Sequence, residues 1–323
     1  MICDNKHDDL SHKNFNRYHL QSVSWFLDLI LKTITMKTLL IATDFSEASR
    51  IASEYGVQLA KLLNAKIFLV NAFPHMIPVS DAAMVITDEE LEENSKTRLN
   101  EERIWLTQKY DVDIQTASGQ GQALEVILAV AKGIHADWLV AGMKGSSRIA
   151  RLMFGGTSFV LSRHSHIPVI LIPDSARFTL PRTIALASDL TDDTNIHILD
   201  ALKDFGERCN ATMYVVRVIK KGMNEMFERL LKPSLLKWHF KELHPTYEFL
   251  NDADVAHAMN SFAKEYLVDI VVMIKQEHNL FEKIFHKSNI KEMILNTKVP
   301  LIILSGEVDD ASVVQRRQEL IAD

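Results

Sequence analysis

Three glycines stand at a spacing that suits a phosphate. Two residues separate Gly142 from Gly145, and nine more precede Gly155, which opens the run Gly155-Gly156-Thr157-Ser158. Glycine lets main chain come close to an anion. The N–H groups at a helix start carry the partial positive charge that favours one. Ser146, Ser147, Thr157 and Ser158 add hydroxyl donors. Lys144, Arg148 and Arg151 flank the segment, either as neutralising charge for a ligand or as a solvated helix face. Asp44 follows the apolar run Thr38-Leu-Leu-Ile-Ala42. A carboxylate only accepts hydrogen bonds, so Asp44 suits a ribose hydroxyl or an adenine amino group and not a phosphate. Its alternative is to cap the helix that begins near Ser46.

Other chemistries lack their residues. No Gly-x4-Gly-Lys-[Ser/Thr] loop is present, which excludes a P-loop enzyme. Thr157 and Ser158 have no His–Asp arrangement nearby, so no nucleophile system is legible. His164 and His166 have no partner at metal-ligand spacing and read as a surface pair. Cys3 and Cys209 are the two cysteines, too few for a disulfide framework or a cysteine zinc module. A reducing cytoplasm fits that usage.

The elements that must position these residues repeat. Thr38-Leu-Leu-Ile-Ala-Thr-Asp-Phe-Ser46 resembles Thr183-Ile-Ala-Leu-Ala-Ser-Asp-Leu-Thr191. Asn64-Ala-Lys-Ile-Phe-Leu-Val70 matches Asn210-Ala-Thr-Met-Tyr-Val-Val216, and Asp137-Trp-Leu-Val140 matches Asp269-Ile-Val-Val272. Ile167-Pro-Val-Ile-Leu-Ile172 matches Val299-Pro-Leu-Ile-Ile-Leu304 at the same offset as the preceding pair. Four segments recurring in one order imply a duplicated domain. In the first copy the pattern predicts strands at about 37–43, 66–72, 112–117, 137–142 and 167–172, and helices at about 47–63, 88–110, 121–134 and 156–165. Thr87 followed by Asp-Glu-Glu suits the start of the second helix. Apolar strands alternating with such helices give a parallel sheet covered on both faces. Its ligands sit at the carboxyl ends of the strands, where strand order reverses. The chain therefore divides into a leader (1–35), a first domain (36–174), a second domain (180–305) and a tail (306–323).

Composition bounds the partners. The chain has 323 residues, room for two domains at about 100–200 residues each. At 47% hydrophobic and 24% charged residues it can bury ordinary cores. A formal net charge of -6 argues against a nucleic-acid or anionic-membrane surface. The early apolar stretch 23–31 is too short to span a membrane and carries Asp28.

Gly-x2-Gly-x9-Gly followed by Ser or Thr is the ATP-binding pattern of the universal stress protein family, and Gly142, Gly145 and Gly155 match it. The chain resembles that family over about 36–174, and more weakly over 180–305. The resemblance implies an α/β fold of two tandem five-stranded parallel-sheet domains, Rossmann-like and similar to the adenine nucleotide alpha hydrolases. It implies ATP, alone or with Mg, in the first domain. Adenine would lie near Asp44 and the main chain around Ala72, and the triphosphate on Gly142, Gly145, Gly155 and the residues that follow. The chain departs from the pattern at Gly156, where the family carries its hydroxyl residue; here the hydroxyl comes one place later at Thr157. Main-chain donors survive that change, but one side-chain bond is at stake.

The second domain departs further: Ile274, Glu277 and Lys287 stand at the positions of the three glycines. No nucleotide is expected there, and the second domain becomes a pseudo-symmetric partner. In the family the last strand is an edge that pairs between protomers. A tandem chain can instead pair 167–172 with 299–304 in one molecule, an intramolecular pseudo-dimer, with further homodimerisation left open. The functional expectation is a cytoplasmic, ATP-binding regulatory module of the stress response, acting on a protein partner and hydrolysing ATP slowly at most. The alternative is a nucleotide-independent structural or adaptor protein. An adenylating ligase would need a Ser-Gly-Gly-x-Asp-Ser loop after the first strand, where Asp44-Phe-Ser-Glu-Ala-Ser49 stands instead.

Overall fold

The first strand, β1 (Thr38–Ala42), is buried at all five positions, as an unalternating apolar run requires of a sheet covered on both sides. A computed structural model of the chain describes it together with the rest of residues 36–75, 87–143, 157–188, 196–219, 235–274 and 287–305. The expected leader and tail lie outside the described residues. After β1 come α1 (Glu47–Leu63), β2 (Lys66–Phe73), α2 (Asp88–Tyr110), β3 (Ile114–Gln120), α3 (Ala123–Gly133), β4 (Trp138–Met143), α4 (Thr157–His164) and β5 (Val169–Pro173). The caps expected of such helices are in place. Ser46 caps α1, and Asn64 ends it in the left-handed conformation. Thr87 and Glu90 form a reciprocal capping box on α2.

The second series repeats the first: β6 (Thr183–Ala187), α5 (Ile196–Cys209), β7 (Thr212–Ile219), α6 (Leu235–His239), β8 (Thr246–Asn251), α7 (Val255–Glu265), β9 (Ile270–Ile274), α8 (Lys287–Asn296) and β10 (Leu301–Leu304). Among the described residues the ten strands form one sheet in the order β3-β2-β1-β4-β5-β10-β9-β6-β7-β8. Each half is a five-stranded parallel sheet. The two halves meet at a single antiparallel pair, with Leu301 opposite Leu171, Ile302 opposite Ile170 and Ile303 opposite Val169. These are the segments, 167–172 and 299–304, that the family resemblance allows a tandem chain to pair within one molecule.

Register confirms the gapless offset between the halves. Ala42 faces Ala141 across β1 and β4, and Ala187 faces Met273 across β6 and β9. The residue after Ala141 is Gly142, and the residue after Met273 is Ile274, so those two occupy the same place in their halves. One apolar cluster lies on each face of the sheet, and each draws residues from both halves. Aromatic rings tie them further: Trp138 and Phe205 lie 5.5 Å apart, and Tyr55 meets Phe178 edge to face at 5.1 Å. Among the described residues no helix is long and apolar enough to cross a membrane.

Shared cores predict shared unfolding. Leu69→Ala in the first half and Leu186→Ala in the second each empty a fully buried site and should cost about 2–5 kcal/mol. Both variants should lower the midpoint of one cooperative denaturant transition. Two separate transitions, each moved by only one of the variants, would contradict a common core.

Candidate functional site

Strand order reverses between β1 and β4: from β1 the chain proceeds outward to β2 and β3, and from β4 outward to β5. In an open parallel sheet the crevice lies outside the carboxyl ends of two such strands. Asp44 follows β1 and Gly142 is the penultimate residue of β4, so two expected site residues flank the reversal. Ala72 lies near the end of β2. Pairing between β1 and β2 ends at Ala42 and Val70, so Asn71, Ala72 and Phe73 run beyond β1 while still pairing with β3. Thr157, exposed, is the first residue of α4. Lys144, Gly145, Gly155 and Gly156, with Ser146, Ser147, Arg148 and Arg151, lie outside the described residues.

Gly142 answers to packing. A Cβ added there would lie 2.4 Å from the Ala48 carbonyl oxygen and 3.0 Å from the Ser49 nitrogen, both main-chain atoms in the first turn of α1. Nothing larger than hydrogen fits between that turn and β4, whether or not a ligand approaches. The Gly142 carbonyl in turn accepts a 2.6 Å hydrogen bond from the Ser158 hydroxyl. That bond fixes the first turn of α4 against the end of β4. The starts of α1 and α4 thus both meet the last residues of β4. A hydroxyl carries one proton. Ser158, expected as a donor to phosphate, gives its proton to the Gly142 carbonyl, and from the first described turn of α4 main-chain N–H groups and Thr157 remain on offer.

The loop after β1 is built from hydrogen bonds. Asp44 is exposed, and its Oδ1 accepts from the Ser46 N–H at 3.0 Å, so the carboxylate shapes the turn before the helix. The cap itself is Ser46, whose Oγ accepts from the Ser49 N–H at 3.3 Å. Phe45 sits at φ 60°, a left-handed conformation that costs a non-glycine residue about 1 kcal/mol or more. Thr43 offsets this with polar groups that are all engaged. Its N–H donates to the Val70 carbonyl at 2.9 Å. Its carbonyl accepts from Asn71 Nδ2 at 2.8 Å, and its Oγ1 accepts from the Phe45 N–H at 3.0 Å. Sequence reasoning missed this network. Its one visible signal was the hydroxyl that precedes the aspartate in both repeats, Thr43 and Ser188.

The second half keeps the frame and loses the details. The Ser188 N–H donates to the Val216 carbonyl at 3.0 Å, as that of Thr43 does to Val70. The residue after Val216 is Arg217, where the first half has Asn71, and buried Ile274 replaces Gly142. Between β7 and β8 the described elements are the short α6 and a single 3-10 turn at Lys241–Leu243, where the first half has the 23-residue α2. Among the described residues no group of three or more His, Cys, Asp and Glu side chains could hold a metal ion.

The Gly142 contact gives a direct check. Gly142→Ala forces α1 and β4 apart and should cost about 1–3 kcal/mol, the usual range for overpacking. Urea denaturation measures it. An unchanged midpoint would mean that the two elements do not approach as closely as 2.4 Å implies.

Known proteins resemble the chain in sequence and in fold. Residues 35–173 match the family model of the universal stress protein family. The chain is 24% identical over 139 residues to universal stress protein MJ0531 of Methanocaldococcus jannaschii, covering 42% of this chain and 81% of that protein. It is 27% identical over 161 residues to stress response protein NhaX of Bacillus subtilis, covering 42% of this chain and 96% of that protein. Among solved structures, a universal stress protein from Archaeoglobus fulgidus superposes with a TM-score of 0.61 at 14% identity. That match covers 84% of this chain and 97% of the other, and it shows that the two share a fold. Over residues 35–173 the chain matches the universal stress protein family, and there it is similar in sequence to the two named stress proteins.

Proposed function

We propose that the first half binds an adenine nucleotide, ATP alone or with Mg, at the reversal between β1 and β4, and that the chain works as a nucleotide-responsive regulatory module of the stress response. The observation that carries this reading is the bond from Ser158 to the Gly142 carbonyl. It sets the first described turn of α4 against the end of β4, across the reversal from Asp44, and a helix start is where main-chain N–H groups can meet an anion. The donor set fits the ligand: N–H groups for phosphate on one side and a carboxylate for a ribose hydroxyl or an adenine amino group on the other. Main chain around Ala72, beyond the end of β1, adds a rim at the adenine side. The spacing of Gly142, Gly145 and Gly155 supports the same assignment, with Lys144, Gly156 and Thr157 beside the phosphates.

In this reading residues 36–174 are the nucleotide-binding domain and residues 180–305 a degenerate partner. Ile274 and Arg217 in place of Gly142 and Asn71 support that division. Binding rigidifies the first half and shifts what its surface offers a cytoplasmic protein partner. The two similar proteins, a universal stress protein and a stress response protein, support a stress-related role. Slow hydrolysis is the most that this residue set would support.

A nucleotide-independent adaptor is the second reading. Two observations favour it: the Ser158 proton is already committed, and Gly156 stands where the family carries a hydroxyl. Calorimetry separates the two readings. ATP should bind the full chain with one site per molecule, and Asp44→Ala should weaken it about ten-fold or more, the factor that about 1.4 kcal/mol gives. Purified chain should also release adenine nucleotide on denaturation if the site fills in the cell. No heat with ATP and no released nucleotide would leave the adaptor.

A further inference from the structure

α2 turns four residues inward at helical spacing: Ser95, Leu99, Glu102 and Leu106. A helix that only covered a sheet would place apolar side chains at all four. Two are polar instead, and both reach the ends of the strands that bound the candidate site. Ser95 Oγ donates to Asn71 Oδ1 at 2.7 Å, and Asn71 Nδ2 holds the Thr43 carbonyl. Glu102, only 4% exposed, receives the Ser53 hydroxyl at 2.8 Å on Oε1 and the Thr43 hydroxyl at 3.2 Å on Oε2. A third residue on the same stripe, Arg98, lies over the Phe45 ring, 4.2 Å from its centroid. Positions 95, 98 and 102 share one helix face, and each acts on the segment from Thr43 to Phe45.

A buried carboxylate is costly unless hydrogen bonds compensate it, and this one receives two hydroxyls. We propose that Glu102 is a positioning residue for the site: by accepting the Thr43 hydroxyl proton it fixes the loop that presents Asp44. The inference rests on the nucleotide-binding reading above.

Proton counting carries the argument. Thr43 Oγ1 has one proton and two oxygens within reach, Glu102 Oε2 and Ser49 Oγ, both at 3.2 Å. Ser49 gives its own proton to the Ser46 carbonyl at 2.9 Å. The carboxylate is the stronger acceptor, so it takes the Thr43 proton. The Thr43 lone pairs then face the Phe45 N–H, and that bond holds Phe45 in its left-handed conformation with Asp44 immediately before it. Without the carboxylate, Thr43 is free to rotate toward Ser49. Its hold on Phe45 loosens, and Asp44 samples a wider range of positions. α2 is thereby a brace between the sheet and the ligand-facing loop, and the described part of the second half has no counterpart to it.

Glu102→Leu tests this because it separates stability from binding. Replacing a buried charged group with an apolar one of similar size is often neutral or stabilising, so a purely structural role predicts no loss of affinity. The positioning role predicts two changes in the full chain. Affinity for adenosine and for ATP should fall by a common factor of about 5–30, because the lost order is at the nucleoside end. In protein without ligand, amide hydrogen exchange at Phe45 and Ser46 should rise about ten-fold. Glu102→Gln should recover part of both, since its amide oxygen can still accept from Thr43. If Glu102→Leu does not fold, Thr43→Val, which removes the same hydrogen bonds from the other side, takes its place. Wild-type affinity with wild-type exchange at Phe45 and Ser46 would overturn the proposal. If the wild-type chain binds neither ligand, the functional reading fails, and exchange alone then decides whether Glu102 orders the loop.

Discussion

The first turn of α1 lies so near the end of β4 that a single methyl group would meet main chain at 2.4 Å. That contact decides what the rest of the site can be. It demands glycine at position 142 and brings the capped start of α1 onto the strand that ends beside it. It also leaves the Gly142 carbonyl turned to accept the Ser158 hydroxyl, which seats α4. Two helix starts and two strand ends converge where strand order reverses. At α1 the cap already takes part of what a helix start offers, since the Ser46 and Ser49 N–H groups are paired with Asp44 Oδ1 and Ser46 Oγ.

Around that convergence the molecule separates scaffold from site. The scaffold is duplicated: both halves share strand order, register and the hydrogen bond that continues β1 or β6 by one residue. The antiparallel pair of β5 and β10 joins them and covers two edges that would otherwise be open to other strands. The second half contributes at least as much to each apolar layer as the first, while Ile274 occupies the place of Gly142. Packing and the strand-end positions draw on different residues, so the second half keeps its layers while its strand ends differ.

Much of this was legible in the residues. Unalternating apolar runs gave β1, β2 and β4 nearly to the residue, and Thr87 with its acids gave the start of α2. The repeat offset, read without gaps, is the one that the register shows. The pattern places β3 at about 112–117, and it lies at Ile114–Gln120, two residues later at its start and three at its end. Gly119 is inside the strand because a Cβ there would lie 2.6 Å from a Val126 methyl on α3. A glycine in the sequence does not say what it makes room for, and the same holds for Gly142. Periodicity finds the inward face of a helix but not its partners, so Glu102, within Asn100-Glu-Glu-Arg103, looks like any surface acid. The role of Ser158 was hidden because one hydroxyl can serve a ligand or a carbonyl, and only geometry chooses.

The central claim is that this reversal point, and not its copy, holds a nucleotide. A crystal structure of the full chain grown in millimolar Mg-ATP tests it most directly. The account predicts one nucleotide per chain, with its base beside Asp44, its phosphates at the start of α4, and the second reversal point empty of nucleotide. A first-half crevice holding only solvent, or nucleotide bound beside Ile274, would contradict it.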